Sequence, residues 1–139
     1  MIRIEQEAWE VMVPHAQATY PHECCGAMLG REEDGVKRVV RARKMRNISS
    51  TNHGDSYELD PKEQFEVDKE ARAAGLDVIG IYHSHPDCDA YFSRRDLANS
   101  CSWYSFVVLS NNQGKLDHEN SWLPNEQQTE AAKEELVHP

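Results

Sequence analysis

No apolar stretch in this 139-residue chain approaches the ~18 residues that a helix needs to cross a bilayer. The longest uninterrupted run, Phe106-Val107-Val108-Leu109, is a strand's worth. Positive charge is also scarce: 15 Lys and Arg face 24 Asp and Glu, a formal net charge of -9. That balance excludes a sequence-independent grip on nucleic acid, which depends on cationic neutralisation of phosphates. Four cysteines, Cys24, Cys25, Cys88 and Cys101, are too few and too unevenly spread for a disulfide scaffold. A bridge between Cys88 and Cys101 stays open. The opening residues MIRIEQEAWE turn acidic at once, without the basic-then-apolar layout of a secretory leader, so the cytoplasm is the expected location. There is no repeat, low-complexity tract or Gly/Ser linker. The expected organisation is one domain, with a core over about residues 1–123 and a C-terminal helix or tail over 124–139.

What is present reads as alternating strands and helices. Ile2–Ile4 alternates as a short strand, and Trp9, Met12, Val13, Ala16 and Tyr20 fall on one face of a helix. Pro14 lies inside that helix and Pro21 marks its end. Cys24–Leu29 and Val36–Ala42 flank the acidic turn Glu32-Glu33-Asp34-Gly35, the pattern of a hairpin. Ser56–Leu59 reads as a further strand. Asp60 is an N-cap with Pro61 at the first helical position; Phe65, Val67, Ala71 and Ala74 follow, and Gly75 is the stop. Asp77–His83 is a buried strand, Ser93 opens a short helix, and Trp103–Leu109 pairs with Lys115–Trp122 across a turn. Glu126–Val137 has good helix formers but a thin apolar face. The fold class is α/β, a single mixed central sheet flanked by helices.

The informative segment is His83-Ser84-His85-Pro86, followed by Ser93-Arg94-Arg95-Asp96. His83 and His85 stand two apart at a strand end, so both imidazoles point to one side, half of a tetrahedral zinc site. Asp96, in the first turn of the next helix, can be the third ligand. Three protein ligands leave a fourth position for water, which marks a catalytic rather than a structural zinc. Each residue also has a plain structural reading. A His-x-His pair is often polar surface, Ser93-x-x-Asp96 is a good capping pair, and Glu23 suits a solvated strand start. Cys24 and Cys25 are adjacent on a strand and point to opposite faces, which suits packing rather than shared ligation. His22, His53 and the other isolated histidines lack metal spacing, although His22 sits next to Glu23.

The ordered set Glu23, His83, His85, Ser93, Asp96 resembles the JAMM (MPN-plus) zinc metalloproteases. So do the block Pro21–Gly30, Asn47 and Tyr57-Glu58-Leu59-Asp60-Pro61; the resemblance runs from about Trp9 to Leu109. It implies the MPN/cytidine-deaminase-like fold. It also implies Zn2+ held by His83, His85 and Asp96, Glu23 as proton shuttle and Ser93 as an oxyanion donor. Compact members without ubiquitin-clamping insertions resemble enzymes that trim the tail of a ubiquitin-like (β-grasp) sulfur-carrier protein. The expected activity is therefore hydrolysis of a peptide bond at such a tail. Alternatives are an isopeptidase that removes ubiquitin-like modifiers from lysines, and a non-catalytic module that binds ubiquitin-like folds. Neither nucleic acid nor membrane is an expected partner, and a homodimer stays open.

Overall fold

Period-two alternation along the strands divides the interior into two apolar layers, one on each side of a single sheet. In the computed structural model, which describes residues 1–50 and 56–139, the elements run β1 (Ile2–Ile4), α1 (Gln6–Thr19), β2 (Cys25–Glu33), β3 (Val36–Met45), α2 (Pro61–Ala73), β4 (Asp77–Pro86), α3 (Arg94–Ala98), β5 (Ser105–Asn112), β6 (Lys115–Pro124), β7 (Ala131–Glu134) and β8 (Leu136–Val137). Strand order across the sheet is β7-β6-β5-β4-β2-β3-β1-β8. It is mixed: β4 runs parallel to β5, and β1 parallel to β3 and β8, while the other pairs are antiparallel.

One layer joins Ala8, Met12 and Ala16 of α1 to Ile4, Met28, Val39 and Tyr82; the other joins Val67 and Ala71 of α2 to Ala27, Leu29, Ile81 and Phe106. Cys24 belongs to the first layer and Cys25 to the second, as their adjacency on an extended chain predicts. All four cysteines are free thiols, so Cys88 and Cys101 are not bridged. Burial pushes Cys24 up to about 12 and raises Cys25 further, which leaves both as packing groups rather than nucleophiles.

Gly26 has a specific steric reason. It sits opposite Tyr82 in the β2–β4 ladder, and a Cβ there would lie 2.3 Å from the Tyr82 ring. The ring occupies that gap and its hydroxyl reaches Nδ1 of His15 on α1 at 2.8 Å. Burial, aided by Lys44, lowers the His15 pKa from 6.5 to about 4. The unfolded chain therefore binds more protons than the native chain between those values, and stability falls as pH drops through that window. Because His15 is only half-buried, solvent screening reduces the expected loss to about 1–2 kcal/mol. Urea unfolding at the two ends of the window checks this, with His15→Gln expected to lose that part of the slope.

Two sequence expectations need correction, and one apolar residue of α2 falls outside its buried stripe. Phe65 is 65% exposed, because the stripe that faces the sheet is Glu63, Val67 and Ala71 at four-residue spacing, and position 65 lies well round the helix from it. Ser56–Leu59 forms only an isolated bridge, Asn47 to Leu59. There the Asn47 side chain stands in for a ladder, donating to the Glu23 and Ser56 carbonyls and accepting from the Ser49 and Glu58 amides. The predicted C-terminal helix over 126–137 is absent: β7 and β8 occupy it instead. Helical propensity is a weak prior, and with no apolar face to bury the segment is captured by strand pairing.

That capture closes the sheet. β7 pairs with the β6 edge, β8 pairs with the β1 edge, and only Glu135 separates them. Glu134 anchors the closure: its Oε1 accepts from Ser105 and Ser121 at 2.7 and 2.9 Å, and Lys37 donates to the same Ser105. Upstream, Gln128 donates to the carbonyls of Leu97, Ala98 and Ser100, tying the turn before β7 to the end of α3.

Candidate metal centre

β4 delivers the two histidines. Cys25 pairs with His83 in the ladder, so His83 and, two residues on, His85 face the α2 side of the sheet, and both are buried. α3 delivers Asp96 by the capping box that the sequence suggests. Ser93 Oγ accepts from the Asp96 amide at 3.0 Å, and Asp96 Oδ2 accepts from the Ser93 amide at 2.9 Å. The same carboxylate meets both rings. Asp96 Oδ1 lies 3.2 Å from His83 Nε2, and Oδ2 lies 3.1 Å from His85 Nε2. Glu23, just ahead of β2, completes the group: its carboxylate and the two imidazoles each offer an atom within 4.8 Å of the others. Its segment is fixed from β4, where Ser84 Oγ accepts from the Cys24 amide at 2.8 Å.

His85 shows what this arrangement requires. Its Nδ1 lies 2.8 Å from the carbonyl oxygen of Asp89, and a carbonyl only accepts, so the proton of the neutral ring sits on Nδ1. The lone pair of Nε2 then faces the lone pairs of Asp96 across 3.1 Å. A cation between them resolves that conflict. His83 Nε2 is equally buried with no hydrogen-bond partner among the described residues, although it too faces Asp96. Two imidazole nitrogens converging on one carboxylate, the His85 nitrogen with its lone pair forward, form a donor set that fits a zinc ion.

The electrostatics agree. Burial pushes the Asp96 carboxyl up, but the two histidines and the Ser93 amide outweigh it and hold the group far below the usual carboxylate range. Burial holds His83 below its ordinary value against the pull of Asp96. Burial also opposes charge on His85, yet a second proton on Nε2 would donate to Asp96 while Nδ1 donates to the Asp89 carbonyl, and these contacts to the charged ring keep its pKa above the ordinary value. Among the neighbours, burial and then the Glu23 carboxylate raise the Cys88 thiol, so it is a poor nucleophile.

A family model described as prokaryotic homologs of the JAB domain matches residues 5–125. The chain belongs to this JAB, or JAMM, family. Among relatives, it is 32% identical over 104 residues to a desampylase from Pyrococcus furiosus, a match that covers 75% of this chain and 68% of that protein. It is 32% identical over 119 residues to the CysO-cysteine peptidase of Mycobacterium tuberculosis, covering 84% and 77%. Protein DSY2949 from Desulfitobacterium hafniense superposes with a TM-score of 0.85 at 27% identity, over 100% of this chain and 93% of that one. AF2198, a JAB1/MPN domain protein from Archaeoglobus fulgidus, gives 0.59 at 15% identity, over 97% and 98%, which speaks to the fold alone. With JAMM relatives named peptidase, desampylase and deubiquitinase, the chain is an enzyme of this hydrolase family, and the binding-module reading falls away.

The structure thus brings together Glu23, His83, His85 and Asp96, with Ser93 capping the helix that carries Asp96. His22 is exposed, and His53 lies outside the described residues. Sequence reasoning missed the bracing around the JAMM residues. Tyr57 stacks on the His83 ring at 4.5 Å, and Tyr91 meets the His85 ring edge-on at 5.0 Å. Tyr57 lies in a block that carries the family resemblance, but no spacing points it at His83, and Tyr91 comes from the segment between β4 and α3, which has no regular structure.

Proposed function

We propose that this chain is a zinc-dependent metallopeptidase that hydrolyses a peptide bond at the C-terminal tail of a ubiquitin-like sulfur-carrier protein. The observation that carries the reading is the convergence of His83 Nε2, His85 Nε2 and the Asp96 carboxylate on one buried space, with neutral His85 turning a lone pair rather than a proton toward Asp96. Those three residues would hold the ion, and Glu23 lies within reach of the same space. Zinc bound there supplies Lewis acidity, bringing the pKa of a coordinated water to about 7.

The residues of the chain do the rest. Glu23, buried beside the histidines, takes a proton from the attacking water and returns it to the leaving amine. The Ser93 hydroxyl, held at the N-terminus of α3, donates to the carbonyl oxygen as negative charge develops on it. Burial of His83, His85, Asp96 and Glu23 keeps the local dielectric low, so each of these interactions is stronger than it would be in water. The names of two relatives, a CysO-cysteine peptidase and a desampylase, support a ubiquitin-like substrate.

The test uses zinc-loaded protein and β-grasp carriers whose tails extend a few residues beyond Gly-Gly, read by intact mass. Cleavage after the Gly-Gly pair, about tenfold or more faster than release of the same carrier from a lysine side chain, is the expected outcome. Faster release from lysine would favour the isopeptidase reading instead. No cleavage of either substrate would remove the proposal.

A further inference from the structure

The segment between β4 and α3 has no regular structure, yet side chains from elsewhere bond the backbone at each of Cys88, Asp89 and Ala90. Ser110 donates to the Cys88 carbonyl at 2.6 Å. From β6, Asn120 and Trp122 both donate to the Ala90 carbonyl, at 3.1 and 3.0 Å. His118 Nε2, on the same face of β6, accepts from the Ala90 amide at 3.1 Å. Three alternate residues of one strand thus clamp one buried alanine, which is 0% exposed.

The peptide unit between Asp89 and Ala90 is the one that His85 uses. Its carbonyl accepts from His85 Nδ1, and its N–H donates to His118 Nε2. Because His118 Nε2 accepts, its Nδ1 carries the proton and donates to Asp117 Oδ2 at 2.7 Å. Asp89 Oδ1 is also near His118 Nε2, at 3.8 Å, beyond hydrogen-bond distance. One continuous chain results: Asp117 carboxylate, His118 ring, Asp89–Ala90 peptide, His85 ring. Metal-ligating histidines commonly donate their far N–H to a carboxylate or carbonyl, which fixes the tautomer and raises ligand basicity. Here the carboxylate acts through a second histidine and an amide, and hydrogen bonds at the two ends of one amide polarise each other.

We propose that His118 is a positioning residue for the metal centre, holding the Asp89–Ala90 peptide so that its carbonyl locks His85 with the proton on Nδ1 and the lone pair of Nε2 toward the ion. The inference rests on His85 being a ligand, but its first readout needs neither metal nor substrate. In zinc-free wild-type protein at about pH 9, well above the ordinary imidazole range, two-bond 15N correlations should show Nδ1-protonated rings at both His85 and His118. An Nε2-protonated ring at either position overturns the proposal.

The second readout compares His118→Gln, whose Oε1 stands near where Nε2 was, with His118→Asn, which is too short to reach the Ala90 amide. Zinc affinity, measured by chelator competition, should weaken about 10–100-fold in His118→Asn, the usual cost of losing an outer-shell partner. His118→Gln should recover most of that loss, and the carrier-tail KM should be unchanged in both. Equal affinities in all three proteins, or an equal loss in both variants, would show that the acceptor at position 118 does not position His85. If tails are not cut at all, the proposed substrate fails while these readouts still decide the role of His118.

Discussion

A Glu23→Gln variant is expected to lose about 10²–10⁴-fold in kcat for tail cleavage, the range that a positioned general base contributes, while still binding zinc. The pairing of the two measurements matters, because geometry alone places Glu23 within ligand distance of both histidines. If Glu23 is the proton shuttle and Asp96 the third ligand, the amide variant weakens zinc binding by no more than about 100-fold, the upper end for an outer-shell change, and still loads fully under excess zinc. If Glu23 is itself the ligand, zinc is lost along with activity. Asp96 has the stronger geometric case: its two oxygens lie 3.2 and 3.1 Å from the two ring nitrogens. Chelator competition together with kcat on one carrier tail settles the assignment, and retained activity would remove Glu23 from the mechanism.

Removing the residues after Pro124 is expected to unfold the protein rather than shorten it. The cut takes away two ladders, β6 with β7 and β1 with β8, and removes Leu136 from the apolar layer that holds Ile2. It strands the Ser105 and Ser121 hydroxyls without the Glu134 carboxylate, and each buried polar group left unpaired costs about 1–3 kcal/mol. Against a typical total stability of about 5–15 kcal/mol, that loss is decisive. The truncated chain should be recovered insoluble or without a cooperative melt. A Glu134→Ala chain, which keeps the ladders, should melt cooperatively at a lower temperature. A truncated protein that melts like the full chain would show that the closure contributes little.

Much of this was legible in the sequence where local chemistry and tertiary structure agree. Asp60-Pro61 starts α2, with the Asp60 side chain accepting from the Lys62 amide, and Gly75 follows its end with positive φ. His-x-His at a strand end placed both rings on one face, and Ser93-x-x-Asp96 is both a cap and the means by which a carboxylate is aimed at them. What failed depended on contacts distant in sequence. Residues 126–137 have helical propensity, but a hairpin back onto β6 and, for β8, pairing with β1 more than a hundred residues away decided their conformation. The β6 trio was within reach: His118, Asn120 and Trp122 alternate on a strand that the sequence does reveal. Their shared target, Ala90, lies in a segment without periodicity, and no one-dimensional pattern points to it.

The strap formed by β7 and β8 has a consequence beyond its own stability. Most sheets have two lateral margins whose unpaired amides and carbonyls can template a neighbouring molecule's backbone. In this chain one short segment pairs at both margins, covering Ser121–Pro124 of β6 and Ile2–Arg3 of β1, and leaves two outermost strands too short to template much of a neighbour. A strand added from another molecule would have to pair with β7, with β8, or with Lys115–Asn120 of β6, the part of that edge that β7 does not reach.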